Sequence, residues 1–232
     1  MNPIVTVTNL NKSYGRTPVL ENLSLTLNQG EIIGLLGPNG CGKTTLMKIL
    51  AGLINDYRGE VNVLNAPIGI QTKEKISYLP EKTYLSDWMK TGYAIDMMAD
   101  FYQDFDKKKA LELLSRFELS PTQKLKSMSK GMQEKVQLIL VMSRNAKLYV
   151  LDEPLSGVDA AARDAILDVI LKNYAEDAAI FLSTHLIYDV EKLFDSVIMM
   201  GYGKIILQDT VDSIRETYQK SVDEVFREVF KC

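Results

Sequence analysis

The chain's 232 residues suit one large domain or two closely packed lobes. With 46% hydrophobic and 25% charged residues it can bury a full core, which excludes a disordered chain. The formal charge of −3, from 27 basic and 30 acidic residues, gives no support for a phosphate-backbone binder, so no nucleic-acid partner is expected. Cys41 and Cys232 are too few for a disulfide framework and have no metal-ligand spacing, which makes reduced cytosol the default. Met1 to Leu10 lack a basic region followed by an apolar run, so no signal peptide is expected. The longest apolar stretches, such as Leu138 to Met142, fall short of the ~20 residues a membrane span needs. A transport role would therefore need another chain to supply the pathway.

In chain order, Ile4 to Val7 and Leu23 to Leu27 alternate apolar and polar residues, as half-buried strands do. Asn28-Gln29-Gly30 signals a turn, and Glu31 to Leu36 reads as a buried strand. A glycine-rich loop, Gly37 to Gly42, leads into helical spacing from Lys43 to Leu53. Gly59 to Leu64 and Lys75 to Leu79 read as strands. From about Ser86 to Leu125 the strand signal stops: Met97, Met98, Phe101, Leu111, Leu114 and Phe117 fit helices, and helical spacing resumes from Gly131 to Arg144. Beyond this, Leu148 to Leu151, Ala178 to Leu182 and Ser196 to Met200 read as strands, separated by helices over Ala160 to Tyr174 and Ile187 to Phe194. Lys204 to Gln208 adds a strand and the tail from Thr210 is helical. Strands alternating with helices imply an α/β fold with a largely parallel sheet, and residues 86–145 read as a helical insert.

Gly37-Pro38-Asn39-Gly40-Cys41-Gly42-Lys43-Thr44 matches G-x-x-x-x-G-K-[ST], and Thr45 follows it. Glycines let backbone N–H groups turn inward around a phosphate, and the following helix aims its positive N-terminus at the same anion. Lys43 would reach the β- and γ-phosphates and the Thr44 hydroxyl would ligand Mg²⁺. The alternative is a glycine-rich strand-to-helix turn, which the full pattern disfavours. Leu148 to Leu151 is an apolar strand ending in Asp152 and Glu153. In a P-loop fold the first acid at such an end holds Mg²⁺, and Glu153 could polarise the attacking water.

Further segments, in order, resemble the ABC ATPase family. Tyr14 stands where the family stacks an aromatic on adenine. Glu81, after Tyr78-Leu79-Pro80, holds the Q-loop place, where it would face the metal or orient water. Ser129-Lys130-Gly131-Met132-Gln133 resembles the signature, Ser156-Gly157-Val158-Asp159 the D-loop, and His185, the only histidine, the switch histidine. The resemblance implies a P-loop core with a mainly parallel sheet, an antiparallel β subdomain and an inserted helical lobe at about 86–145, within a single domain over 1–232. It also implies ATP and Mg²⁺ as ligands, with Lys43, Glu153 and His185 catalytic. Gly37, Asn39, Gly40, Cys41, Gly42, Thr44 and Thr45 would surround the phosphates.

Two departures stand out. Lys130 and Met132 replace small or flexible signature residues, and Glu81 replaces a glutamine. Both resemble a bacterial subgroup of exporter ATPases whose relatives move drugs, peptides or antibiotics; an importer subunit and a non-transport ABC ATPase are the alternatives. The family pattern further implies two such chains, identical or not, joined head to tail around two ATP molecules. Ser129, Gly131 and Asp159 would then face the other chain's ATP. An integral-membrane permease would anchor the pair to the cytoplasmic face of the membrane. Trp88 and Tyr93 read equally as permease contacts or as lobe core. Cys41, beside Lys43 and a helix N-terminus, is expected to favour its thiolate and to be protected by Mg-ATP, the alternative being a buried filler.

Overall fold

The computed structural model describes residues 2–158 and 160–231; Asp159 and Cys232 lie outside them. β1 (Pro3–Tyr14) and β2 (Thr17–Asn28) form a long antiparallel hairpin whose alternating burial puts one face inward. β3 (Ile32–Leu36) runs through the core and delivers the chain, through the loop at 37–42, to α1 (Lys43–Leu50). β4 (Arg58–Val63) and β5 (Ala66–Pro67) return to the hairpin and complete a four-stranded antiparallel sheet ordered β2-β1-β4-β5. A short α2 (Ile70–Lys73) then leads to β6 (Ile76–Leu79).

Three helices intervene before the next strand: α3 (Thr91–Phe101), α4 (Lys107–Arg116) and α5 (Lys130–Met142). Their starts are written in local chemistry. The Asp106 carboxylate accepts the Lys109 N–H at 2.9 Å, and the Ser129 hydroxyl accepts the Met132 N–H at 3.3 Å. The chain continues through β7 (Leu148–Asp152), α6 (Ala160–Lys172), β8 (Ala179–Ser183), α7 (Ile187–Val190), β9 (Ser196–Gly201), β10 (Lys204–Thr210), α8 (Val211–Tyr218) and α9 (Val222–Phe230).

The second sheet is ordered β10-β9-β3-β8-β7-β6, with every pairing parallel except the β10 edge. All residues of β3, β7 and β8 are buried. That is why these segments read as unbroken apolar runs: helices cover one face of the sheet and the antiparallel sheet covers the other. One core lies among the helices and includes Leu151, Ile180 and Ile139; the second lies between the sheets and includes Phe181, Val150 and Leu35. Each such side chain contributes about 1.5–3 kcal/mol through burial.

Several boundaries differ from the sequence reading, each for a local reason. α1 stops at Leu50 because Gly52 adopts the left-handed conformation (φ 69°) and its N–H turns back to the Ile49 carbonyl. The helix from Ile187 ends at Val190 and tightens into a 3₁₀ turn over Glu191–Leu193. The helical tail is two helices, split where Gln219 turns left-handed (φ 53°) and Ser221 restarts the helix with Glu224 in a capping box. β5 and α2 are too short to leave a periodicity.

Arg144, just beyond α5, ties the inserted helices to the sheet. Its Nε and Nη2 grip Asp104 at 3.0 and 3.1 Å, its Nη1 donates to the Ile76 carbonyl at 2.7 Å, and Nη2 also reaches the Glu74 carbonyl. The guanidinium stacks 3.8 Å from the Tyr102 ring centroid. A buried charge with this many partners is tolerated; a partnerless one would not be.

Candidate nucleotide site

The C-terminal ends of β3, β7 and β8 open on one side of the parallel sheet, where crevices form in such folds. A cleft of about 440 Å³ lies there. It gathers Tyr14 from β1, Asn39, Gly40 and Gly42 to Thr45, Glu81 after β6, Asp152 at the end of β7 with Glu153 after it, and His185 after β8. Val19 and Ser156, which the sequence reading did not place there, complete the wall.

The loop's shape depends on two glycines. Gly42, the N-cap of α1, has φ 107°, and a Cβ there would lie 2.8 Å from Leu20 Cδ2 and 3.0 Å from the Val19 carbonyl. A Cβ on Gly37 would come within 2.2 Å of the Met200 carbonyl. Lys43 is buried, its ammonium donating to the Gly37 carbonyl at 2.7 Å and the Pro38 carbonyl at 3.3 Å, so its charge sits inside the curl of the loop.

Gly37 does not line the cleft, and neither does Cys41. The Cys41 thiol faces the core: the residue is buried, its Sγ would lie 2.7 Å from a Gly37 Cβ, and it packs in the cluster between the sheets. Burial raises its pKa, outweighing the opposing pull of Lys43. The expectation of a thiolate open to the site is therefore corrected. Only the backbone of Cys41 can face a phosphate, because its side chain is packed into the core between the sheets.

Asp152 ends β7 almost wholly buried. The Ser183 hydroxyl donates to its Oδ1 at 2.7 Å, while Oδ2 accepts no hydrogen bond. Desolvation raises its pKa; Ser183 and the neighbouring Thr44 pull it down, and Glu81 and Glu153 push it further up. Ser183 also accepts the Glu153 N–H at 2.9 Å, so one hydroxyl fixes both acids. The register that sets Asp152 opposite Ser183 in the β7–β8 pair makes this possible. Nothing local to Ser183 signals it beyond its place before Thr184 and His185.

Glu153 is in the left-handed region (φ 53°), which costs a non-glycine residue about 1–2 kcal/mol. The turn swings its carboxylate into the cleft, where Oε2 lies 2.8 Å from His185 Nδ1. Glu81 is exposed on the cleft's rim.

Ser129 and Gly131 do not line this cleft; they sit at the exposed start of α5, and Asp159 is outside the described residues. Lys130, one of the signature departures, pairs with Glu134 at 3.6 Å, and a Cβ on Gly157 would lie 2.8 Å from Glu134 Oε1. Burial raises the Glu134 pKa. Trp88 and Tyr93 are largely exposed and meet in a tilted pair with ring centroids 5.4 Å apart, which favours a surface over a core role for both.

The residues fit a magnesium nucleotide. A buried carboxylate oxygen without a partner, beside a hydroxyl and the glycine-rich loop that opens α1, matches a hard cation held between protein and phosphate oxygens. Among the described residues no cluster of three His, Cys, Asp or Glu side chains is arranged to hold a metal ion, so the remaining oxygen ligands would have to come from phosphate and water.

Fold and site thus define a P-loop nucleotide-binding protein. The family model described as ABC transporter matches residues 20–156. The chain is 36% identical to an uncharacterised ABC transporter ATP-binding protein of Methanocaldococcus jannaschii over 92% of its own length and 80% of the relative's. It is 32% identical to another from Synechocystis over 84% of its length, but spans only 57% of that relative. A solved structure of the ATP-binding subunit of an ABC transporter superposes with a TM-score of 0.89 at 28% identity, covering 98% of this chain and 99% of that one. The chain belongs to the ABC transporter family, as an ATP-binding cassette, and ATP with Mg²⁺ is the ligand that membership implies. No helix among the described residues is long and apolar enough to cross a membrane.

Proposed function

We propose that the chain is the ATP-hydrolysing subunit of an exporter, acting as a pair of cassettes bound to an integral-membrane permease at the cytoplasmic face of the membrane. The observation that carries the reading is the convergence, in one cleft, of the phosphate loop, the unpartnered Asp152 oxygen and a Glu153 held by His185. Tyr14 would stack on the adenine base. The amides of Asn39 to Thr45 and the Lys43 ammonium would hold the phosphates, and Thr44 and Asp152 the metal. Bound Mg²⁺ supplies positive charge to the β- and γ-phosphate oxygens. Glu153, on a turn fixed by Ser183, would orient a water and take its proton, while His185 keeps the carboxylate in place.

Ser129 and Gly131, away from the cleft but at the N-terminus of the 13-residue α5, are suited to meet the γ-phosphate bound by a second cassette. Asp159 would belong to the same shared face. The exporter direction rests on the Lys130, Met132 and Glu81 departures. The test is Glu153→Gln, which is isosteric and removes the base. ATP binding should persist, turnover should fall at least 100-fold as for loss of a general base, and an ATP-bound dimer should accumulate on size-exclusion chromatography. Turnover near wild type would overturn the role of Glu153.

A further inference from the structure

Lys12 lies two residues before Tyr14 on β1, so both side chains leave the strand on the same face. Lys12 is only 3% exposed, which is rare for lysine and demands partners for its charge. Its ammonium has three donors. Two are spent on Asp56, on the main-chain carbonyl at 2.9 Å and on Oδ2 at 2.5 Å. The ammonium also lies over the Tyr14 ring, 4.7 Å from its centroid, within cation–π range. Tyr14 is half exposed and lines the nucleotide cleft, whereas Lys12 does not. The ring is therefore backed by a fixed cation on one side and open to the cleft on another.

We propose that Lys12, anchored by Asp56, is a positioning residue that holds the Tyr14 ring ready to stack on the base of a nucleotide. The inference rests on the reading of Tyr14 as the adenine platform and deepens it. An exposed tyrosine would otherwise sample several rotamers and lose that freedom on binding. The ammonium fixes the ring beforehand. It also draws electron density from the ring, which suits the opposite face to an electron-rich purine. Asp56 precedes β4, so the base platform is tied to the segment that follows α1, the helix carrying the phosphate loop.

The test separates base from phosphate binding. Calorimetric affinities for Mg-ADP and Mg-pyrophosphate are measured for the wild-type chain and for Tyr14→Ala, Lys12→Met and Asp56→Asn, with thermal melting as the check on folding. Lys12→Met is expected to weaken ADP roughly three- to tenfold while leaving pyrophosphate within about twofold, and Asp56→Asn to act in the same direction. Equal losses for both ligands, or none for ADP, would overturn the proposal. Tyr14→Ala distinguishes the underlying reading: if it leaves ADP affinity unchanged, the base does not rest on Tyr14 at all. If it weakens ADP selectively and Lys12→Met does not, only the role of Lys12 fails. Asp56 has an exposed side chain, so its variant carries the test should Lys12→Met not fold.

Discussion

Asp152→Asn should make the nucleotide-free protein more stable while removing its response to Mg-ATP. The carboxylate is buried, its Oδ2 has no hydrogen bond, and burial raises its pKa. A buried oxygen left unpaired costs about 1–3 kcal/mol, and more when it is charged. Asparagine keeps the acceptor facing Ser183 and replaces the unpaired oxygen with a neutral donor that can meet the Thr44 hydroxyl. In a chain of this size about 1 kcal/mol corresponds to roughly 2–4 °C in Tm. The pH dependence has a definite sign. An acid with a raised folded-state pKa binds more protons folded than unfolded, so its cost is fully present above that raised pKa. The cost fades as pH falls through it toward the unfolded value of about 3.9. The advantage of the variant should therefore be largest near neutrality and shrink on acidification. Saturating Mg-ATP at about 100 times its Kd would stabilise the wild type by about 2.7 kcal/mol, and the variant by much less. Thermal melting with and without Mg-ATP at several pH values checks all three. A variant less stable than wild type without nucleotide, or equally stabilised by Mg-ATP, would refute the assignment of Asp152 as an uncompensated metal ligand.

Glu81→Gln should change ATP turnover of the isolated protein by less than about threefold, because glutamine keeps an oxygen for metal or water and relieves the repulsion that Glu81 exerts on Asp152; steady-state ATPase rates check it, and a loss as deep as that of Glu153→Gln would give Glu81 a larger part. Cys41 should stay unlabelled by a maleimide both with and without Mg-ATP at neutral pH, since its thiol is buried and held protonated. Mass spectrometry of the adducts checks this, and ATP-sensitive labelling would show that the thiol is open to the cleft.

What was legible in the sequence was what depends on neighbours along the chain. The eight residues from Gly37 to Thr44 carry the loop's conformation themselves, and the runs of β3, β7 and β8 announce strands buried on both faces. The alternation of strands and helices likewise gave the parallel sheet. The rest depends on residues far away. Cys41 was misread because its side chain joins the core between the sheets, whose other members come from distant strands. Ser183 gains its place only through the β7–β8 register, and Lys12 only through a loop 44 residues further on. Arg144 looked like the end of a helix; its five acceptor and ring contacts come from residues 74 to 104. Side-chain direction and long-range pairing leave no periodic trace.

Some of the features that oppose stability gather at the site. Glu153 in a left-handed turn, Asp152 with an unpaired buried oxygen and Gly42 at φ 107° all lie at the same end of the parallel sheet. Around them the starts of α4, α5, α8 and α9 carry side-chain caps, the buried Arg144 is held by Asp104 and two main-chain carbonyls, and β3, β7 and β8 bury every residue. Strained or unpaired groups that coincide with a candidate site point to a role there. Their maintenance falls to the sheet itself. Asp152 and Ser183 are fixed by backbone pairing across two fully buried strands, and Ser183 in turn fixes the turn at Glu153. The acids are therefore positioned by the core and not by a mobile loop. Weakening the packing of β7 or β8, even through a core side chain such as Phe181 that does not line the cleft, should disturb the site before it unfolds the protein.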